Sequence, residues 1–200
     1  MSKPDTTAIV LAGGRGRRLD ERDKGLVPLW RQALIAHVLA RVAPQVVHCL
    51  ISANRNEAAY RAWGYPVVGD ATPDFAGPLA GIAAGMRAAR DPLVLVVPCD
   101  APCLPRDLAA RLHDTLQASG AELAVAHDGA RLQHACFLAP AALADDIEAR
   151  LARGERKLQH WIEGRNWVAV AFDDPYAFVN LNTPDDFAAL ERRGRCEGAD

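Results

Sequence analysis

Short apolar runs in this chain alternate with longer segments whose apolar residues recur every three to four positions, and that alternation restricts the fold more than any other feature. Runs of this length separated by helical patterns mark βαβ units and a mainly parallel sheet. Strands are predicted over residues 8–12, 46–53, 67–68, 93–98, 122–126, 132–138 and 167–172, and helices over 34–42, 56–63, 79–90, 105–119, 141–153 and 184–193. The helix limits rest on caps as well as period. Pro105 starts one helix, with Leu108, Leu112 and Leu116 along one face, and Thr183-Pro184-Asp185-Asp186 supplies an N-cap, a first-turn proline and first-turn acids for another. The expected class is α/β, a three-layer αβα sandwich around a doubly wound, mainly parallel sheet. With 200 residues, half of them hydrophobic, residues 1–194 suit one domain burying roughly 70% of its unfolded surface. Residues 195–200 read as a flexible tail.

In an open parallel sheet, ligands sit beyond the carboxyl ends of the strands. Two polar segments meet that condition. The first follows the run Ala8-Ile9-Val10-Leu11 and reads Leu-Ala-Gly-Gly-Arg-Gly-Arg-Arg-Leu-Asp-Glu-Arg-Asp-Lys-Gly, residues 11–25. Gly13, Gly14 and Gly16 let successive main-chain N–H groups point at one place, which suits phosphate oxygens, and Arg15, Arg17, Arg18 and Lys24 add charge. The bland alternative is a turn with solvated arginines; its place after a buried first strand favours the phosphate site. The dinucleotide fingerprint fails for want of its third glycine, and Lys24-Gly25 reverses the ending of a P-loop. The second segment is Cys99-Asp100-Ala101-Pro102. Asp100 emerges at a strand tip facing the same crevice, where it serves as a turn former or as an oxygen ligand for a divalent cation. Asp70 ends another short strand on the same rim. Asn180-Leu181-Asn182 sends two amides to one side of an extended segment, serving either a polar heterocycle or the start of the next helix.

A formal net charge of −2 provides no long-range field for nucleic acid or an anionic membrane. Apolar runs stay well below the ~18 residues of a membrane span, and the first residues lack the pattern of a signal peptide, so a cytoplasmic protein is expected. Cys49, Cys99, Cys103, Cys136 and Cys196, odd in number and scattered, suit a reducing compartment and argue against a disulfide framework. They form no zinc pattern, and the histidines are too dispersed for a ligand set.

Taken in order, these segments resemble the molybdenum cofactor guanylyltransferases. Leu11-Ala12-Gly13-Gly14, Arg18, Asp23-Lys24-Gly25, Ala53-Asn54-Arg55, Gly69-Asp70, Gly77-Pro78-Leu79-Ala80-Gly81, Cys99-Asp100-x-Pro102 and Asn180-x-Asn182-Thr183-Pro184 carry the likeness. The resemblance implies a Rossmann-like nucleotidyltransferase fold with a mixed sheet. It also implies transfer of GMP from GTP to the terminal phosphate of molybdopterin with release of diphosphate. Lys24, Asp100 and Arg18 would be catalytic. Leu11, Ala12, Gly13, Gly14, Lys24, Ser52, Asp70 and Asp100 would bind the nucleotide, Pro78, Asn180 and Asn182 the pterin substrate, and Asp100 would hold Mg²⁺. GTP and molybdopterin are the implied partners, with room for transient contact with cofactor-biosynthesis proteins or molybdoenzyme chaperones.

The chain departs from the family pattern at Ser52, where an asparagine is usual, at Leu19-Asp20-Glu21, and at Arg31-Gln32-Ala33-Leu34, where Gly-Lys-Pro-Leu is usual. A relative using CTP or a sugar-phosphate acceptor, and a non-catalytic nucleotide-binding module, stay open as alternatives.

Overall fold

Alternation along the strands sorts the core into two layers. Ala8 and Val10, Leu95 and Val97, and Ala124 and Ala126 face one side of the sheet, whereas Ile9, Val94, Val96, Leu123 and Val125 face the other. This period of two is what a sheet buried on both faces requires. The computed structural model describes residues 3–13, 23–70, 77–174, 176–194 and 196.

In chain order the elements are β1 (Thr6–Leu11), β2 (Pro28–Leu29), β3 (Gln32–Ala33), α1 (Leu34–Val42), β4 (His48–Ser52), α2 (Glu57–Arg61), β5 (Val67–Val68) and α3 (Pro78–Ala88). There follow β6 (Leu93–Pro98), α4 (Leu108–Ser119), β7 (Leu123–His127), β8 (Leu132–Pro140), α5 (Ala144–Ala152), α6 (Leu158–Glu163), β9 (Trp167–Ala171) and α7 (Pro184–Arg193). The main sheet runs β5-β4-β1-β6-β8-β7-β9. All its pairings are parallel except those of β8, which opposes both neighbours. Ile35, Val38 and Leu39 of α1 and Leu108, Leu112 and Leu116 of α4 cover one face. Leu79, Ile82 and Met86 of α3, Ile147 of α5 and Trp161 of α6 cover the other, giving the three layers expected. A third cluster of Leu29, Leu34, Cys103, Leu181, Phe187 and Leu190 packs α7 beside the β2–β3 hairpin. No helix among the described residues is long and apolar enough to cross a membrane.

Two elements escape the sequence patterns, the β2–β3 hairpin and α6. The hairpin turns on Trp30 and Arg31 at φ 46° and 70°, the pair of positive φ values that a two-residue turn needs and that glycine or asparagine usually supplies. Arg31→Gly removes a side chain from left-handed backbone, and the extra freedom of the unfolded glycine offsets part of that gain. A stabilisation of about 0.5 to 1 kcal/mol is expected, read from the chemical-denaturation midpoint.

The reading that the scattered cysteines argue against a disulfide framework missed one bridge. Cys103, after β6, and Cys196, after α7, are joined by a disulfide with Cα atoms 5.3 Å apart. They stand 93 residues apart in sequence, so spacing gave no warning; both belong to the α7 cluster, which brings them together. Cys49, Cys99 and Cys136 are buried free thiols, and burial pushes Cys49 up to about 12.

Candidate functional site

The central strands β4, β1 and β6 end level: Leu11 pairs with Ser52 on one side and with Pro98 on the other. The chain is still pinned beyond them, because Ala12 N–H donates to Ser52 O at 2.8 Å and Cys99 N–H to Leu11 O at 3.0 Å. Leu11, Ala12, Gly13, Ser52 and Asp100 therefore share one rim, at the carboxyl ends where a crevice forms.

Lys24 returns to this rim from a single 3-10 turn, Lys24–Leu26. Its Nζ donates to Asp100 Oδ2 and, at 2.7 Å, to Asn182 Oδ1. Residues from three distant parts of the chain thus meet at one ammonium group. The Asn180-Leu181-Asn182 segment is drawn in by its middle residue: Leu181 is fully buried and its N–H donates to Asp100 O at 3.0 Å. The flanking amides are thereby presented together, and Asn182 Nδ2 donates to Asn180 O at 3.3 Å. Two buried oxygens here, Asp100 Oδ1 and Asn180 Oδ1, have no hydrogen-bond partner among the described residues. Buried oxygens are seldom left so, and both fit a site completed by a ligand.

Asn182 is held from behind by the start of α7. The Asp186 carboxylate accepts from the N–H groups of Asn182 and Thr183, both at 2.8 Å, and the Thr183 hydroxyl accepts from Asp186 N–H, closing a capping box. The Asn182 N–H foremost, opposed by burial and then helped by Thr183, holds the Asp186 carboxyl below the usual carboxylate range. With its folded pKa depressed, that stabilisation is fully present at neutral pH and is lost as the pH falls through the folded value. Thr183→Ala is expected to cost about 1 kcal/mol of stability, which a thermal melt checks.

On the other side of β1, Asn54 fixes Asp70. Asn54 Nδ2 donates to Asp70 Oδ2 at 2.6 Å while Asp70 N–H donates to Asn54 Oδ1 at 2.7 Å. Burial raises the Asp70 pKa, and the Asn54 hydrogen bond opposes the rise. Helix α3 comes in close beneath: a Cβ on Gly81 would overlap the Ser52 hydroxyl and sit 3.3 Å from Asp70 Oδ1. Glycine is needed there for approach. Pro78 begins α3, exposed, after Gly77 at φ 81°.

Of the residues singled out from sequence, Lys24 touches both Asp100 and Asn182, Asn180 adjoins Asn182, and Leu11, Ala12, Gly13, Ser52 and Asp70 belong to the strand tips. Gly14 and Arg18 lie outside the described residues, as do Arg15, Gly16, Arg17 and residues 19–22. In the sequence Asn54 and Asp23 stood out only as parts of the family likeness, with no task of their own. Asp23 is in fact buried behind Lys24. A separate cavity of about 380 Å³ lies between α4 and α7, lined among others by Arg41, Arg111, Phe172, Tyr176 and the disulfide, and not by Lys24, Asp100 or Asn182.

Among the described residues no group of three or more His, Cys, Asp or Glu side chains could hold a metal ion. Mg²⁺ does not need one, since it commonly takes one or two carboxylates together with substrate phosphates. The unpartnered oxygen of Asp100 fits that requirement.

The sequence profile of the MobA-like NTP transferase domain matches residues 8–170. The chain is 44% identical to a molybdenum cofactor guanylyltransferase of Cupriavidus taiwanensis, over 96% of this chain and all of that one. It is 49% identical to another from Burkholderia ambifaria, over 95% and 97% of the two chains. Among solved structures it is similar to molybdopterin-guanine dinucleotide biosynthesis protein A from Archaeoglobus fulgidus, with TM-score 0.78 at 24% identity over 94% and 97% of the chains. A Mycobacterium tuberculosis protein solved in complex with manganese has the same fold, with TM-score 0.69 at 21% identity over 93% and 97%.

Proposed function

Because this chain belongs to the molybdenum cofactor guanylyltransferases, we propose that its rim transfers GMP from GTP to the terminal phosphate of molybdopterin, forming molybdopterin guanine dinucleotide and releasing diphosphate. The observation that carries the assignment to this rim is Lys24 bridging Asp100 and Asn182. One cation there faces an acid suited to phosphate-bound metal on one side and an amide suited to a polar heterocycle on the other.

In this reading the GTP phosphates lie against the main chain of Leu11, Ala12 and Gly13, Gly14 and Arg18 are assigned to the same nucleotide from the family pattern, and the nucleoside end lies toward Ser52 and Asp70. Pro78, Asn180 and Asn182 receive the pterin substrate. A phosphate oxygen of molybdopterin attacks the α-phosphorus of GTP, the bond to the bridging oxygen of the β-phosphate breaks, and diphosphate departs with the electron pair. The attacking phosphate is already ionised, so no general base is required. What remains for the protein is placement and charge. Lys24 and Arg18 stabilise charge growing on the departing diphosphate. Mg²⁺, held by Asp100, would neutralise phosphate oxygens when bound.

The same reading treats residues 1–194 as one catalytic domain, places the reaction in the cytoplasm, and allows transient contact with cofactor-biosynthesis proteins or molybdoenzyme chaperones. Mass spectrometry of products from molybdopterin, Mg²⁺ and either GTP or CTP tests it. The guanine dinucleotide is expected from GTP with little product from CTP. The reverse preference, or no product from either, overturns the reading.

A further inference from the structure

Asp23 directly precedes Lys24 yet turns away from the crevice. Its side chain is buried against α2, where the Tyr60 hydroxyl donates to Oδ1 and the Asn56 amide donates to Oδ2 at 3.0 Å. Both carboxylate oxygens are thus held by one short stretch of chain. Tyr60 is fully buried, and burial first, then the neighbouring Cys99 and Asp23, push its phenol far above its ordinary range, so the hydroxyl stays a donor. The fit is close on the far side too. A Cβ on Gly25 would lie 2.6 Å from the Tyr60 hydroxyl oxygen and 3.2 Å from its ring, so the glycine after Lys24 is what lets the ring reach Asp23. Leu26 N–H donates to Asp23 O at 3.0 Å and closes the turn. Asn56 takes left-handed backbone at φ 52° to start α2. Lys24 is therefore flanked on both sides by residues fitted to α2, while Asn54 on the same loop fixes Asp70.

We propose that Tyr60 and Asn56 are positioning residues for guanylyl transfer: by clamping Asp23 they set where Lys24 meets Asp100 and Asn182. The inference rests on the role given to Lys24 above. Through this brace the loop after β4 governs both the nucleoside side of the rim and the phosphate side.

Tyr60→Phe keeps the ring and removes only the hydroxyl. It is expected to lower kcat about 10- to 100-fold, the cost of a misplacement on the order of 1 Å in a catalytic group. In a Lys24→Ala background the same change should add less than about threefold, because its effect passes through Lys24. A purely structural role would instead give equal losses in both backgrounds. Asn56→Gly is the second variant, since glycine accepts the left-handed backbone and deletes the amide. A readout independent of turnover is acylation of the ligand-free protein by an amine reagent, followed by peptide mass spectrometry with Lys3 and Lys157 as references. Both variants should raise Lys24 labelling several-fold. Unchanged Lys24 labelling in both, or fully additive kcat losses, overturns the proposal. If the wild-type protein makes no dinucleotide, the functional reading falls and the labelling alone decides whether the brace holds Lys24.

Discussion

Asp100→Ala is expected to lower guanine dinucleotide formation about 10²- to 10³-fold, a loss of about 2.7 to 4 kcal/mol of transition-state stabilisation. The size follows from what the carboxylate alone supplies. Oδ2 orients the Lys24 ammonium, and Oδ1, buried and without a partner among the described residues, suits a cation brought in with GTP. The fold should survive, because Leu181 is anchored to the main-chain carbonyl of Asp100 and not to its side chain. Single-turnover rates with GTP and molybdopterin measure the loss, and Mn²⁺ titration by electron paramagnetic resonance in the presence of GTP provides a separate readout. Weakened Mn²⁺ binding should accompany the slow rate. A variant with near wild-type turnover would remove Asp100 from the chemistry.

Lys24→Ala is expected to cost as much in rate, about 10²- to 10³-fold, but by a different route. It deletes the cation that joins Asp100 to Asn182 while leaving Asp100 free to bind metal, so Mn²⁺ binding with GTP should persist. Lys24→Arg should not restore activity. A planar guanidinium cannot reproduce a compact ammonium that donates to two oxygens within a tight turn. The two alanine variants thus separate by metal binding even where their rates coincide. Full rescue by arginine would show that Lys24 supplies general positive charge only.

The layered sheet was readable from apolar alternation because strands such as β1 and β6 are buried on both faces and each residue has one side to go to. The direction of β8 was not readable that way, since alternation is the same in either sense. Its signal lay in the connection: residues 128–131 are too few for a parallel crossover, and Asp128-Gly129 is a hairpin dipeptide, with Asp128 Oδ1 accepting from Ala130 and Arg131 N–H. The β2–β3 turn carried no such signal, because Trp30 and Arg31 are not turn formers. Helix α6 is too short for its buried Leu158, Trp161 and Ile162 to establish a period. At the site, Lys24 and Asp100 were legible because strand tips in a parallel sheet collect polar residues. Asp23 was not, because its task depends on Tyr60, 37 residues away in sequence, and nothing local tells a buried acid from a solvated one.

The proposed site calls for a single in-line transfer by placement and charge, without a covalent nucleotide on the enzyme. Lys24 is engaged through its Nζ by Asp100 and Asn182, which directs it to placing and stabilising charge and not to attack on phosphorus. The stereochemical course at the α-phosphorus decides the matter directly, using GTP made chiral there by a single sulfur substitution. Inversion of configuration in the dinucleotide is the predicted result. Retention, the outcome of two successive displacements through a lysine-bound nucleotide, would contradict it.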